Sequence, residues 1–121
     1  MTPRDVRALQ LAKGAIAAGL LTLLHEAGLG SETELPLFIA GGFGTYLNMR
    51  NAERIGLLPR GLARGATAVG NAALAGATVL LLDREAEERA ALLAREAHVV
   101  ELATHPAFSE KFMKAMAFEK M

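Results

Sequence analysis

The sequence contains no cysteine, few aromatic residues and no excess of either charge. The lack of cysteine excludes a disulfide scaffold, thiolate zinc sites, cysteine-ligated iron–sulfur clusters and thiol nucleophiles within these residues. The 13 basic and 13 acidic side chains cancel. Electrostatics therefore gives no reason to expect nucleic acid or an anionic membrane as a partner.

Long apolar runs are also missing. The two longest uncharged apolar runs, residues 14–24 and 72–82, have 11 residues each, whereas a membrane-spanning helix needs about 20. Asp5 lies where a secretory signal would be basic. We therefore expect no membrane association and a cytoplasmic location.

The chain is nonetheless rich enough in apolar residues, at 52%, to form a hydrophobic core. Its 121 residues fit a single domain, 1–121. Thr2 and Pro3 suit the start of a helix over residues 3–27, and Gly28 suits its end. A polar turn at residues 31–34 precedes a continuous apolar run, 35–40, which predicts a strand buried on both faces.

The second half continues the alternation of helices and strands. We expect a short helix capped by Asn48 or Asn51 and ending near Gly56, then a connection over residues 57–64. Further elements are a second strand at 66–69, a helix at 72–82, a charged helix from Asp83, a third strand at 98–103 and a last helix starting at residues 104–106. The order αβαβααβα predicts an α/β fold with about three short strands flanked by helices.

Lys13 is the most informative residue of the first helix. At about 100° per residue it falls near the middle of an apolar face, with Gln10 at the edge of that face; the apolar residues are Val6, Leu9, Ile16, Leu20 and Leu24. Burial of an unpaired ammonium is unfavourable, so Lys13 needs a partner, a ligand or a route to water. One alternative is a structural lysine paired with a carboxylate such as Glu53, and the other is a ligand-facing lysine.

The second candidate feature is the end of the first strand, where Ala40 is followed by Gly41, Gly42, Phe43 and Gly44. Paired glycines let the backbone approach another group closely, and ligands of α/β sheets bind outside the carboxyl ends of strands. A plain strand-to-helix turn is the alternative. The dinucleotide-binding fingerprint and the P-loop motif are both absent.

The other motifs favour structural roles. The small residues of 70–77 suit close helix packing rather than a membrane dimer. The three histidines lack metal-ligand spacing, and residues 85–88 are typical of a solvated first helical turn. We therefore assign no catalytic residue and no metal ligand.

Four ordered blocks, residues 10–16, 39–47, 54–59 and 69–77, resemble the carboxy-terminal region of the ATP-dependent reductive activators of corrinoid proteins. The resemblance extends over nearly the whole chain. It implies half of an actin-like ATPase (ribonuclease H-like) fold. It also implies an adenosine site formed by Gly41, Gly42 and Phe43, with Gln10 and Lys13 resembling the polar residue and lysine that line the adenine and ribose site in related chaperones.

The resemblance also implies cofactors and partners that these residues do not hold alone. ATP with magnesium and a 2Fe–2S cluster would belong to the complete protein, the cluster in its amino-terminal domain. Residues 48–51 depart from the acidic helix start expected in the family, which puts any role of an acid there in doubt. We expect a portion of a larger ATPase, incomplete for catalysis, whose partners are the remaining domains and a corrinoid protein. The alternative is an interaction or dimerisation module without its own ligand.

Overall fold

A computed structural model describes all 121 residues. The chain divides into two compact units, which we describe separately. Unit 1 comprises residues 1–37, 47–67 and 100–121, and unit 2 comprises residues 38–46 and 68–99.

Unit 1 begins with a long helix, α1 (Pro3–Glu26). The Thr2 hydroxyl accepts a hydrogen bond from the Asp5 backbone N–H, while the Asp5 carboxylate accepts one from the Thr2 N–H at 2.8 Å. This reciprocal capping box satisfies two donors that a helix start otherwise leaves free. The predicted start is therefore confirmed, and the predicted end at residue 27 is one residue late.

The buried face of α1 differs from the predicted apolar face. Leu9 and Ile16 are 41% and 47% exposed, whereas the buried residues are mostly small: Lys13, Gly14, Ala17, Ala18, Gly19, Thr22 and Leu24. The helix α7 (Pro106–Ala115) packs against α1. A Cβ at Gly14 would lie only 3.2 Å from the Met116 Cγ. Two helices can approach closely only where their side chains are small, so the buried face of α1 is centred on glycine and alanine residues. The periodicity of the large apolar residues therefore predicted the wrong centre for the buried face.

By length and composition, α1 would also be able to span a bilayer, although 39% of its apolar window is buried inside the protein. A core helix of a soluble protein passes the same test. The helix is therefore weak evidence about membranes.

Two short helices follow in the middle segment of unit 1. In α3 (Met49–Arg54) the Asn48 side chain accepts a hydrogen bond from the Asn51 N–H at 3.0 Å, so Asn48 is the cap. The predicted connection over 57–64 contains a helix, α4 (Arg60–Arg64), with Pro59 as its N-cap. Leu57, Leu58 and Leu62 are buried, and these apolar contacts favour a helix over a solvated loop.

The predicted third strand at residues 98–103 is wrong. Val99 is 94% exposed, and the segment ends in a single 3₁₀ turn (Leu102–Thr104). A strand needs a neighbour that pairs with its backbone, and the sheet contains only two strands. Instead, the Leu102 side chain packs towards Gly19 of α1, 3.5 Å from the position of a Cβ.

The two strands are β1 (Leu37–Ala40) and β2 (Ala66–Gly70), which pair in parallel. Burial of β1 on both faces was predicted, and this is wrong: Phe38 is 68% exposed and Val69 of β2 is 41% exposed. A two-stranded sheet has little neighbouring structure to cover its faces. The α/β class is confirmed, whereas the strand number is corrected from three to two.

The rest of unit 2 is helical. The short α2 (Gly42–Tyr46) follows β1 directly and was not predicted. The helices α5 (Ala72–Leu82) and α6 (Arg84–Glu96) start where expected, capped by the side chains of Asn71 and Asp83. Helix α5 has no buried residue. The close packing predicted for its small residues is therefore not made within this chain.

Candidate functional site

The carboxyl ends of the two strands form a pair of glycine turns within unit 2. The Gly41 N–H donates to the Gly70 carbonyl oxygen at 2.7 Å, so the two glycines face each other across the end of the sheet. Both have positive φ, +91° at Gly41 and +63° at Gly70. Residues with a side chain rarely adopt this conformation, and it lets each strand turn directly into the next helix.

The backbone at this end of the sheet is open. A Cβ at Gly41, Gly42 or Gly70 would meet no atom within 4 Å. Phe43, the second residue of α2, is 70% exposed. Bare peptide groups beside an exposed aromatic ring form a surface on which a planar ligand can lie close to the backbone. We call residues 41–43 the glycine turn.

Gly44 serves a different purpose from the other glycines of this segment. It is buried, and a Cβ there would lie 2.5 Å from the Ile39 Cγ2 and 3.1 Å from the Ile39 carbonyl oxygen. Its lack of a side chain therefore lets α2 fold back on β1, which fixes the direction in which the glycine turn faces.

Lys13 lies in unit 1 and is only 1% exposed. Its ammonium donates a hydrogen bond to the Ala117 carbonyl oxygen and lies 5.7 Å from the centre of the Phe118 ring. Burial lowers the pKa of the Lys13 ammonium, and the nearby Glu119 carboxylate opposes that shift. The structure thus gives Lys13 a partner in the last residues of the chain, and the suggested pairing with Glu53 is not formed.

The segment that Lys13 holds, residues 117–121, is fixed at further points. A Cβ at Gly56, where φ is +74°, would collide with the Glu119 carbonyl oxygen. The Lys120 ammonium lies 3.6 Å from the Glu53 carboxylate. The Arg60 N–H donates to the Met121 carbonyl oxygen at 3.3 Å. We call residues 117–121 the tail segment.

The predicted site residues therefore fall into two groups. Gly41, Gly42 and Phe43 come together in the glycine turn of unit 2. Gln10 and Lys13 lie three residues apart on α1 in unit 1, where Gln10 is partly exposed and Lys13 is enclosed by the tail segment.

Sequence reasoning missed two parts of this arrangement. The pairing of Gly70 with Gly41 was not anticipated, although the sequence Gly70-Asn71 before a helix is the same signal of a turn at the end of a strand. The close contact of Gly56 with the tail segment has no local sequence signal, because Glu119, which it contacts, is 63 residues away in the chain.

No group of three histidine, cysteine, aspartate or glutamate side chains lies close enough to hold a metal ion.

Comparison with known proteins gives matches over the whole chain. Residues 1–121 match the family described as the C-terminal domain of RACo, the ASKHA domain. The corrinoid activation enzyme RamQ of Eubacterium limosum is 40% identical over 119 residues, which are 98% of this chain and 20% of that relative. The Co(II) methylated amine-specific corrinoid protein reductase of Methanosarcina barkeri is 34% identical over 84 residues, 69% of this chain and 15% of that reductase.

The chain therefore spans a fifth or less of the length of these two relatives. The similarity to RamQ includes almost every residue discussed above, while the rest of RamQ has no counterpart here. The similarity accordingly concerns one domain and not a whole enzyme.

Proposed function

Because the chain belongs to the family of C-terminal ASKHA domains of RACo, we propose that it forms the adenosine-binding wall of an ATP-dependent reductive activator of corrinoid proteins. The ASKHA domain is of the actin-like type, and the sequence resemblance to corrinoid activators is confirmed by both relatives. The observation that carries the proposal is the open glycine turn at the end of β1.

In this proposal the peptide groups of Gly41 and Gly42 lie against the adenosine, and the Phe43 ring packs on the adenine. Gly42 has ordinary backbone angles and open space around it. A larger side chain there would leave the fold intact and obstruct a ligand.

The sequence resemblance also assigns Gln10 and Lys13, which belong to unit 1, to adenosine binding, and we propose that role for them separately from the glycine turn. The Lys13 ammonium is bonded to Ala117 in this structure. A role towards nucleotide therefore requires that this bond break when nucleotide binds, which makes Lys13 a residue whose two roles can be separated by experiment.

The chemistry of the complete activator would come from elsewhere in the parent protein. ATP hydrolysis needs preorganised positive charge and a metal around the γ-phosphate, and these residues contain no group of three or more metal-ligating side chains. We propose that ATP binds with magnesium held by the remaining domains, that a 2Fe–2S cluster lies in an amino-terminal domain, and that the partner is a corrinoid protein in the cytoplasm. This chain alone is then not an active enzyme.

Titration calorimetry with ATP and ADP tests the proposal. We expect weak but measurable binding that falls at least about tenfold in Gly42→Val, equivalent to about 1.4 kcal/mol. Gly76→Val is the matched control, since Gly76 is also a glycine without neighbours within 4 Å and without positive φ. Equal nucleotide affinity in the two variants, or no heat at saturating nucleotide, would refute the adenosine site.

The second candidate function is an interaction or dimerisation module. It is favoured by the exposure of α5, where Leu74, Leu81 and Leu82 are 64%, 84% and 79% exposed. Several large apolar side chains exposed together on one helix are typical of protein interfaces. Sedimentation analysis distinguishes the candidates: a homodimer that Leu81→Glu dissociates, together with absence of nucleotide binding, would favour the module.

A further inference from the structure

Unit 1 contains an open polar cleft that neither the glycine turn nor Lys13 uses. Its volume is about 410 Å³, within the range of small-molecule sites. Six side chains line it, and all of them are polar or charged: Asn48, Arg50, Asn51, Glu53, Arg54 and Lys120.

The cleft has an excess of positive charge. Three of its side chains are cations and one, Glu53, is an anion. That carboxylate lies 3.6 Å from the Lys120 ammonium. Neither Arg50 nor Arg54 forms a salt bridge with any residue of the chain. The two guanidinium groups are one helical turn apart on α3, so they project from the same face of that helix.

The hydrogen-bonding inventory of the cleft is dominated by donors. Each guanidinium offers a planar fork that matches two oxygens of an oxyanion. The Asn48 side-chain oxygen is already used to cap α3, which leaves the amide NH₂ of that residue as a further donor. Lys120 reaches the cleft from the tail segment and adds a third cation.

We propose that this cleft binds a phosphoryl group, either as free phosphate or carried by a small molecule. An open cleft with two exposed arginine forks that pair with no carboxylate suits a compact, multiply charged oxyanion better than it suits an uncharged ligand. Glu53 limits the affinity because it neutralises Lys120 and faces the same space. The proposal goes beyond the adenosine site and does not depend on it.

Inorganic phosphate is the first probe, titrated calorimetrically against the whole chain at low ionic strength. We expect the double variant Arg50→Gln/Arg54→Gln to raise the phosphate dissociation constant at least about tenfold. The matched control is Arg84→Gln/Arg95→Gln on α6, which removes the same charge elsewhere and should leave the constant unchanged. Thermal unfolding of both double variants checks that the fold is intact.

Glu53→Gln supplies a test in the opposite direction. Removing the carboxylate frees Lys120 and abolishes repulsion, so phosphate should bind about threefold or more tightly. If phosphate were attracted only by the net charge of the protein, both arginine double variants would bind phosphate equally weakly. That result, or the absence of phosphate binding at millimolar concentrations, would overturn the proposal.

Adenosine is a second probe, which separates this site from the proposed adenosine site. Adenosine carries no phosphate, so its affinity should fall at least about tenfold in Gly42→Val and stay unchanged in Arg50→Gln/Arg54→Gln. Phosphate should show the reverse pattern. If adenosine fails to bind while phosphate still depends on the arginines, the adenosine proposal fails and the oxyanion cleft stands.

Discussion

Replacement of Lys13 by methionine measures how much the buried ammonium stabilises unit 1. Methionine keeps an unbranched apolar stem of similar length, so the α1 side of the contact stays filled. What is lost is the hydrogen bond from a charged donor to the Ala117 carbonyl. Such a bond contributes about 1.5–3 kcal/mol.

Part of that contribution is offset by relief of desolvation. Burial already disfavours the charged form of Lys13, as its lowered pKa indicates. We therefore expect Lys13→Met to lower the free energy of unfolding by about 1–2 kcal/mol, and the melting temperature by roughly 4–8 °C for a chain of this size. Lys13→Ala also removes about three buried carbon groups, at about 0.8 kcal/mol each, and should cost about 3.5–4.5 kcal/mol in total.

Urea denaturation followed by circular dichroism gives both free energies. Lys114→Met is the control, because Lys114 is exposed and pairs only with Glu110 one turn away. Its unfolding midpoint should not move measurably. If Lys13→Met were as stable as the parent chain but no longer bound nucleotide, the ammonium would serve a ligand and not the tail segment, and the structural assignment would be refuted.

Two further predictions concern the tail segment and the first helix. Gly56→Ala should destabilise the protein by at least about 2 kcal/mol more than Gly28→Ala in the same denaturation assay. Both glycines have positive φ, but only Gly56 also faces the Glu119 carbonyl oxygen. Equal losses of stability in the two variants would contradict this close contact. Hydrogen bonds from the Thr2 backbone and hydroxyl lower the pKa of Asp5, so its contribution to stability is present above the ordinary carboxyl range and is lost as pH falls through the lowered pKa. Asp5→Asn should therefore flatten the acid end of the stability–pH profile, with Glu88→Gln as the control, and an unchanged profile would argue against the capping box.

Much of the secondary structure was predictable because its signals are local. Thr2, Asn71 and Asp83 each accept a backbone N–H from a residue two or three positions ahead. That geometry depends only on the side chain and the next turn of helix. The start of each long helix was therefore predictable from the sequence without any tertiary contact.

The glycine turn was predictable for the same reason. A short apolar run that ends in Gly41-Gly42 indicates a strand followed by a close turn, and the structure has β1 end at Ala40. The open space around this backbone was not predictable, because it depends on the absence of other atoms of the chain near Gly41 and Gly42. Adenosine binding itself stays a proposal.

Residues 98–103 show where the reasoning from local pattern failed. Their apolar, β-branched composition favours a strand, but a strand is stabilised by a partner that local sequence does not specify. In the same way, the predicted connection over 57–64 contains the helix α4 because its leucine side chains are buried in the core of unit 1. The local sequence does not show that this core is there to bury them.

The sequence by itself determined the helix starts, the glycine turn after the first strand and membership of the family, since each rests on residues close together or on ordered motifs. Only the tertiary structure decided which face of α1 is buried, how many strands pair and what Lys13 contacts. The Lys13 partner, Ala117, lies 104 residues further along the chain. No local rule relates two such residues; their meeting depends on α7 packing against the small residues of α1.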